Sequence, residues 1–509
     1  MAILDGSGST VVLEPGYTLT APGLVGIAEI QAGRPPHTRG GGVESATSAF
    51  DTALKNANIN EIRNISLDVQ QQPLPPSVRA MRTMEGEDGM VLEVPDLGAS
   101  VGQVVLAIDN GVATWNFPQD QQGRLEPSAN RGAGGTKRFV IRSHVPAADD
   151  GTGAQNRGLF GAIGKKILKV LVYEITDRFL GPIGNHFARK WEEKHRPHNI
   201  RRFALADYQQ PLTDPLSDAE WQHLGSGRAL LFVHGTFSTA HGGFGKLPEA
   251  TMRALHEAYE GRVFAFDHMT LSASPELNVK WFSETLRENL SESGILDVDI
   301  VCHSRGGLVS RTFAGELGVG NLDRIKVRKI VFVATPNLGT LLAEPDHMVN
   351  FLDRYTSALD LAPPGPVGVV SDILEAILAV VKIIGHAGLT GLDGLSCMNP
   401  GGTFISKLNS GAQVAAQYFA MSSNYEPPGN LHGFTKKRLG DKMIDRVFES
   451  AHNDLVVPTE GVNKGSAAAG FPIPNQRSLQ FAADRAIWHS DFFGQPDTSA
   501  ALREWLLAS

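Results

Sequence analysis

Ser304 stands at the apex of Val301-Cys302-His303-Ser304-Arg305-Gly306-Gly307, between the apolar-rich run Ile295–Ile300 and the helical-looking stretch Leu308–Ala314. A serine on a sharp strand-to-helix turn has its hydroxyl lifted clear of a sheet, where a base can take its proton. The residue type and its setting therefore fit a nucleophile. Gly306 and Gly307 would let the helix come close to the strand. Cys302 stands where the usual G-x-S-x-G spacing has its first glycine, a sterically mild departure. The competing reading is a serine in an ordinary turn. A second segment, Phe232-Val233-His234-Gly235-Thr236-Phe237, directly follows an apolar run. Backbone N–H groups of such a loop, together with that of the residue after the nucleophile, could hold the negative oxygen of a tetrahedral acyl-transfer intermediate without reorganising. Thr236 and Arg305 are the expected donors, with Phe237 as a third; His234 reads as a residue that fixes the loop.

A nucleophile of this kind needs an acid and a base, and in chains built on this turn they follow the serine in the order carboxylate, then histidine. Asn453-Asp454-Leu455-Val456-Val457-Pro458 supplies a carboxylate on a loop, and Trp488-His489-Ser490-Asp491-Phe492-Phe493 supplies a histidine flanked by aromatics. His489 would take the serine proton and later return it to the leaving group, while Asp454 would fix the imidazole tautomer. Rivals remain: His432 and His452 for the base, and Asp441, Asp445, Asp491 and Glu460 for the acid. Asp267 would break the chain order.

From about Arg228 onward, runs of strand and helix character alternate. Strands are expected over 229–233, 263–266, 298–302, 329–334 and 417–421, with helices over 247–260, 276–290 and 306–316. Such alternation argues for a parallel sheet covered by helices on both faces. Residues 1–125 read instead as a separate, mainly β module, with Gln103–Ile108 and Val112–Phe117 as a hairpin across Asp109-Asn110-Gly111 and one helix over 45–57. Residues 126–224 read as a Gly- and Ser-rich linker followed by amphipathic helix over 160–193. That helix is either packed on its own core or resting, through Lys165, Lys166 and Lys169, on anionic lipid.

The net charge of −8 gives no electrostatic case for nucleic acid as a partner. Two cysteines, Cys302 and Cys397, do not make a disulfide framework. The N-terminus has neither the basic nor the apolar part of a signal peptide, so a cytoplasmic location is the expectation, with peripheral membrane contact. Neither Leu159–Leu180 nor Pro366–Gly385 is free enough of charge to span a bilayer.

Four segments together resemble the lipase branch of the α/β-hydrolase superfamily. They are His234-Gly235-Thr236-Phe237, Cys302–Gly307, Ala334-Thr335-Pro336-Asn337-Leu338-Gly339-Thr340, and Asn453–Pro458. The resemblance spans roughly residues 225–509 and does not reach the N-terminal module. It implies an α/β-hydrolase fold and hydrolysis of carboxylic esters through an acyl-enzyme, with no metal and no organic cofactor. Lipid acyl esters are the expected substrates; soluble esters or thioesters are the alternative, as is a restrained effector or scaffold regulated through the N-terminal module. That module would then bind a regulatory protein or a second copy of the chain. Residues of about 341–416 form an insertion whose centre, Val367–Ile384, is apolar on most faces. Ile373, Ile377, Leu378 and Val381 would belong either to a lid that meets substrate or to a helix buried in an enlarged cap.

Overall fold

The structure is a computed structural model, and it describes residues 1–33, 46–70, 90–109, 112–120, 122–125, 135–141, 164–175, 183–318, 322–344, 347–361, 367–387, 392–425, 452–465 and 470–507. The N-terminal part comprises β1 (Ala2–Asp5), β2 (Thr10–Glu14), β3 (Tyr17–Thr20), β4 (Val25–Ala32), α1 (Ala46–Asn56), β5 (Ile59–Gln70), β6 (Met90–Pro95), β7 (Val101–Asp109), β8 (Val112–Asn116), β9 (Pro118–Gln119), β10 (Thr136–Ile141) and β11 (Gly164–Glu174). The strands form two antiparallel sheets, in the orders β1-β4-β5-β11-β7-β8 and β2-β3-β6-β10-β9. Alternating residues such as Leu67, Leu92, Phe139 and Val170 fill the space between the sheets. The expected hairpin is present, with Asp109 opposite Val112; Asn110 and Gly111 at its tip lie outside the described residues.

The N-terminal part extends further along the chain than position 125. The expected amphipathic helix over 160–193 is instead strand β11 followed by helix α2 (Ile183–His195). β11 lies inside its sheet between β5 and β7 and is covered on both faces, so its apolar run needs no alternation. Leu168 and Val170 face the other sheet, whereas Leu171 and Tyr173 face the rest of the chain. The lysines that imitated a polar helical face are cross-strand partners: Lys166 pairs with Asp109 at 2.6 Å and Lys169 with Glu61 at 2.9 Å. They are not a lipid-facing stripe.

The second part carries β12 (Asn199–Arg202), α3 (Asp218–Gly225), β13 (Ala229–Val233), α4 (Ala240–Phe244), α5 (Glu249–Ala258), β14 (Val263–Asp267), α6 (Pro275–Asn289), β15 (Leu296–His303), α7 (Gly306–Phe313) and β16 (Ile325–Val333). It continues with α8 (Met348–Leu361), α9 (Val367–Ala387), α10 (Asp393–Ser396), α11 (Thr403–Asn409), β17 (Gln417–Ser423), α12 (Thr459–Asn463), β18 (Ser478–Phe481) and α13 (Pro496–Leu507). Seven strands form one sheet in the order β12-β14-β13-β15-β16-β17-β18, parallel except for β12. The fold is α/β, with helices on both faces. Along β13, Ala229, Leu231 and Val233 enter one core and Leu230 and Phe232 the other. The start of α6 is local chemistry: Ser274 caps the helix and Pro275 takes its first turn.

Helix α9 is apolar on nearly every face because nearly every face is covered. It packs against α1, α2, α8 and β7, and Ile377, Leu378 and Val381 are each 0 % exposed, with Ile373 also buried. Among the described residues, no apolar face of α9 is turned to solvent.

Candidate active site

In an open α/β sheet, ligands gather at the carboxyl ends of the strands. Here β15, the central strand, ends in Ser304, β13 ends in the His234–Phe237 loop, and the segments after β17 and β18 supply Asp454 and His489. Ser304 takes φ 53°, a conformation uncommon for a residue other than glycine, and its N–H donates to Val333 O at 2.8 Å. The turn requires small neighbours. A Cβ on Gly306 would lie 2.3 Å from Val233 O, and one on Gly307 would lie 2.2 Å from the Thr335 side chain. Cys302 fits because its Sγ is turned into the core toward Val331 O, where burial pushes the thiol pKa up to about 12.

Ser304 Oγ lies 2.9 Å from His489 Nε2, and His489 Nδ1 lies 2.8 Å from Asp454 Oδ2. The three side chains named as nucleophile, base and acid are thus brought into one hydrogen-bonded run. Asp454 is held on both oxygens, because Oδ1 accepts the N–H groups of Val456 at 3.0 Å and Val457 at 2.7 Å. The backbone joins the two loops as well, with His489 N donating to Asp454 O at 3.1 Å. The rivals are engaged elsewhere. Asp267 bonds Arg201 and the Ala240 N–H, Asp491 pairs with Lys246, and Glu460 pairs with Lys464. His452 is exposed, and His432, Asp441 and Asp445 lie outside the described residues.

Thr236 and Arg305 flank the serine, and neither backbone N–H has a hydrogen-bond acceptor among the described residues. Gly235 brings the Thr236 loop against Ser304: a Cβ there would sit 2.7 Å from Ser304 Cβ. His234 fixes this loop as expected. Burial lowers its pKa to about 4, so the ring is neutral; Nδ1–H donates to Gly235 O at 2.9 Å and Nε2 accepts from His268 N at 3.1 Å. Phe237 also has positive φ, 59°, and its carbonyl accepts from Arg196 at 2.7 Å. The Arg305 side chain turns away from the serine to the carbonyls of Gly394 and Ala273.

Several contributors were not singled out from the sequence. His303, neutral because burial lowers its pKa to about 3, donates from Nε2 to the carbonyl of His489 at 2.8 Å and so anchors the segment that carries His489. The Thr335–Thr340 segment braces the acid loop, with Thr340 Oγ1 donating to Val456 O at 2.6 Å and Asn337 Nδ2 to Val462 O at 2.8 Å. Helix α8 supplies aromatic side chains at the site. Phe351 stacks on Phe237 with ring centres 5.4 Å apart, and Tyr355 lies 6.3 Å from the His489 ring. The periodic apolar face of Met348–Leu361 was the available signal, but nothing local said what it would touch. The site is closed over: Ser304 is 4 % exposed and His489 0 %. Among the described residues, no three His, Cys, Asp or Glu side chains are grouped as a metal site requires.

Residues 195–507 match the family described as a domain of unknown function, DUF7379. The chain belongs to that family. Among curated proteins, none matches this DUF7379 chain. Solved structures similar to it include the mature lipase BlEst2 of Bacillus licheniformis, at 16% identity over 55% of this chain and 92% of that one, with a TM-score of 0.32. Lipase 1 of Pelosinus fermentans matches at 15% identity over 55% of this chain and 99% of that one, with a TM-score of 0.37. Phospholipase PlaB of Legionella pneumophila matches at 13% identity over 47% of this chain and 46% of that one, with a TM-score of 0.31. Similarities of this size carry no function with them.

Proposed function

We propose that the chain is a serine hydrolase of α/β-hydrolase type that cleaves carboxylic esters, those of lipid acyl chains foremost. The hydrogen-bonded run Ser304–His489–Asp454 carries the reading. In the mechanism it supports, His489 Nε2 takes the Ser304 proton as Oγ attacks the ester carbonyl, and Asp454 stabilises the imidazolium that forms. The Thr236 and Arg305 N–H groups meet the oxyanion. His489 then gives its proton to the leaving alcohol, and water repeats the sequence on the acyl-enzyme to release the acid. Neither a metal nor an organic cofactor has a part in these steps.

The preference for acyl chains is favoured by the aromatic surface that Phe237, Phe351 and Tyr355 set beside the serine. Soluble esters and thioesters are the alternative. Among the described residues no helix is long and apolar enough to cross a membrane, so access to lipid would be by peripheral contact. The closed site fits an enzyme restrained through its N-terminal sheets, with residues 1–175 as the controlling unit and a protein or second copy as the releasing partner. Hydrolysis of p-nitrophenyl esters from acetate to palmitate, with and without detergent, tests the reading. Turnover lost in Ser304→Ala and highest on long chains is expected. Turnover that persists in the variant refutes the nucleophile, and a preference for acetate refutes the lipid substrate.

A further inference from the structure

A cavity of about 250 Å³ lies where α2, the C-terminal half of α9 and the end of β11 meet, away from Ser304. Tyr173, Phe187 and Trp191 give it aromatic walls. Its charge is one-sided, with Lys382 and Lys194 against the single carboxylate of Glu174 at the exposed rim. The Lys382 ammonium donates to Ala57 O at 3.0 Å and sits 5.5 Å from the centre of the Tyr173 ring, and no carboxylate pairs with it among the described residues. An ammonium has three donors, so this one retains capacity for an acceptor. His386 lies one helical turn further on, on the same face of α9. Its ring is only 7 % exposed, yet Nδ1 has no hydrogen-bond partner. A buried polar atom left in that condition is costly unless a ligand or water meets it.

We propose that this cavity binds a small amphiphilic carboxylate, its head group between Lys382 Nζ and His386 Nδ1–H and its apolar part against Trp191 and Phe187. One ammonium and one imidazole facing a rim carboxylate suit a monoanion, not a phosphate dianion. The volume is below the roughly 300–1,000 Å³ of pockets for drug-sized ligands, which points to a short or medium acyl chain. Both head-group ligands stand on α9, whose earlier turns adjoin the oxyanion loop. Arg196 donates both to the Asp372 carbonyl of α9 and to the Phe237 carbonyl. Occupation would therefore bear on a helix tied to the Phe237 loop through Arg196. The site stands whether or not Ser304 cleaves an ester.

The test is titration of the full-length chain with sodium octanoate, followed by tryptophan emission and by calorimetry, against octan-1-ol and octylamine. Octanoate should bind saturably to one site, and the two analogues at least about tenfold more weakly, as expected for loss of a charge-assisted bond. Lys382→Met should weaken octanoate at least about tenfold, and the exposed Lys194→Met by much less. Trp191→Phe should remove the emission change while heat of binding persists, and Ser304→Ala should bind as wild type does. Octanol binding as tightly as octanoate overturns the proposal, and so does an unaltered affinity in Lys382→Met or loss of binding in Ser304→Ala. If Lys382→Met fails to fold, the comparison of octanoate with octanol and the His386→Phe variant decide in its place.

Discussion

Replacement of Asp454 by asparagine keeps the shape of the acid and inverts one hydrogen bond. Two N–H groups, of Val456 and Val457, point at Oδ1. That position must remain an acceptor, so the amide oxygen of an asparagine takes it and the NH2 group is forced into the place of Oδ2. There it faces His489 Nδ1 across the 2.8 Å now spanned by the imidazole N–H and the carboxylate. Two donors cannot share that line, so the ring must carry its proton on Nε2, where it can only donate to Ser304 Oγ and cannot accept. The wrong tautomer costs about 10⁴-fold in kcat, or roughly 5 kcal/mol of barrier. The fold should lose far less, about 1–2 kcal/mol, because one charge-assisted bond becomes a neutral one. The readouts are kcat/KM on p-nitrophenyl butyrate and the thermal midpoint of the same preparation. Activity within about tenfold of wild type, in a chain of normal stability, would mean that the serine proton does not depend on a correctly oriented His489, and the assignment of the acid would fall.

Gly306→Ala puts a methyl 2.3 Å from Val233 O and 2.5 Å from His234 O; the elbow must shift, with a loss of about 3 kcal/mol and of fluorophosphonate labelling, and a variant that labels normally contradicts the close approach. Trp115→Ala removes a fully buried indole that donates to Thr356 Oγ1 at 3.0 Å; urea unfolding should show a loss of about 3–5 kcal/mol. His234 and His303 are held near about 4 and about 3 in the folded chain, against ~6.5 when unfolded. Below pH ~6.5 the unfolded chain takes protons that the folded chain refuses, so stability is complete above that pH and falls as pH drops, by up to about 1.4 kcal/mol per unit for each histidine. Urea midpoints at pH 7, 6 and 5 read this slope, and a flat profile contradicts neutral, buried rings.

The meeting of Ser304, Asp454 and His489 in one hydrogen-bonded run was legible because each is constrained by its immediate neighbours: Ser304 by the two glycines of its turn, Asp454 by an apolar loop, His489 by flanking aromatics, and all three by chain order. The seven-stranded sheet was legible except for its edges, where β12 and β18 have four residues each and too little pattern to register. β11 was misread because Lys165, Lys166 and Lys169 fall at helical spacing, and only the partners Asp109 and Glu61, 57 and 108 residues away, reveal a strand. The burial of α9 was one of two readings its composition allowed; what covers it is a long-range fact. The same holds for Phe351 and Tyr355, whose meeting with Phe237 and His489 no local pattern announces.

β8 ends its sheet, and an edge strand ordinarily offers its free N–H groups to any passing strand. Here the N–H groups of Ala113 and Trp115 are taken by Ser357 Oγ at 2.9 Å and Asp353 Oδ1 at 2.7 Å, side chains of helix α8. The family match begins at residue 195, after this sheet has ended. The segment that sequence comparison delimits as a unit is thus not one that could be cut out intact. Excised, it would bare the apolar surface of α9, and the discarded half would regain a sticky border.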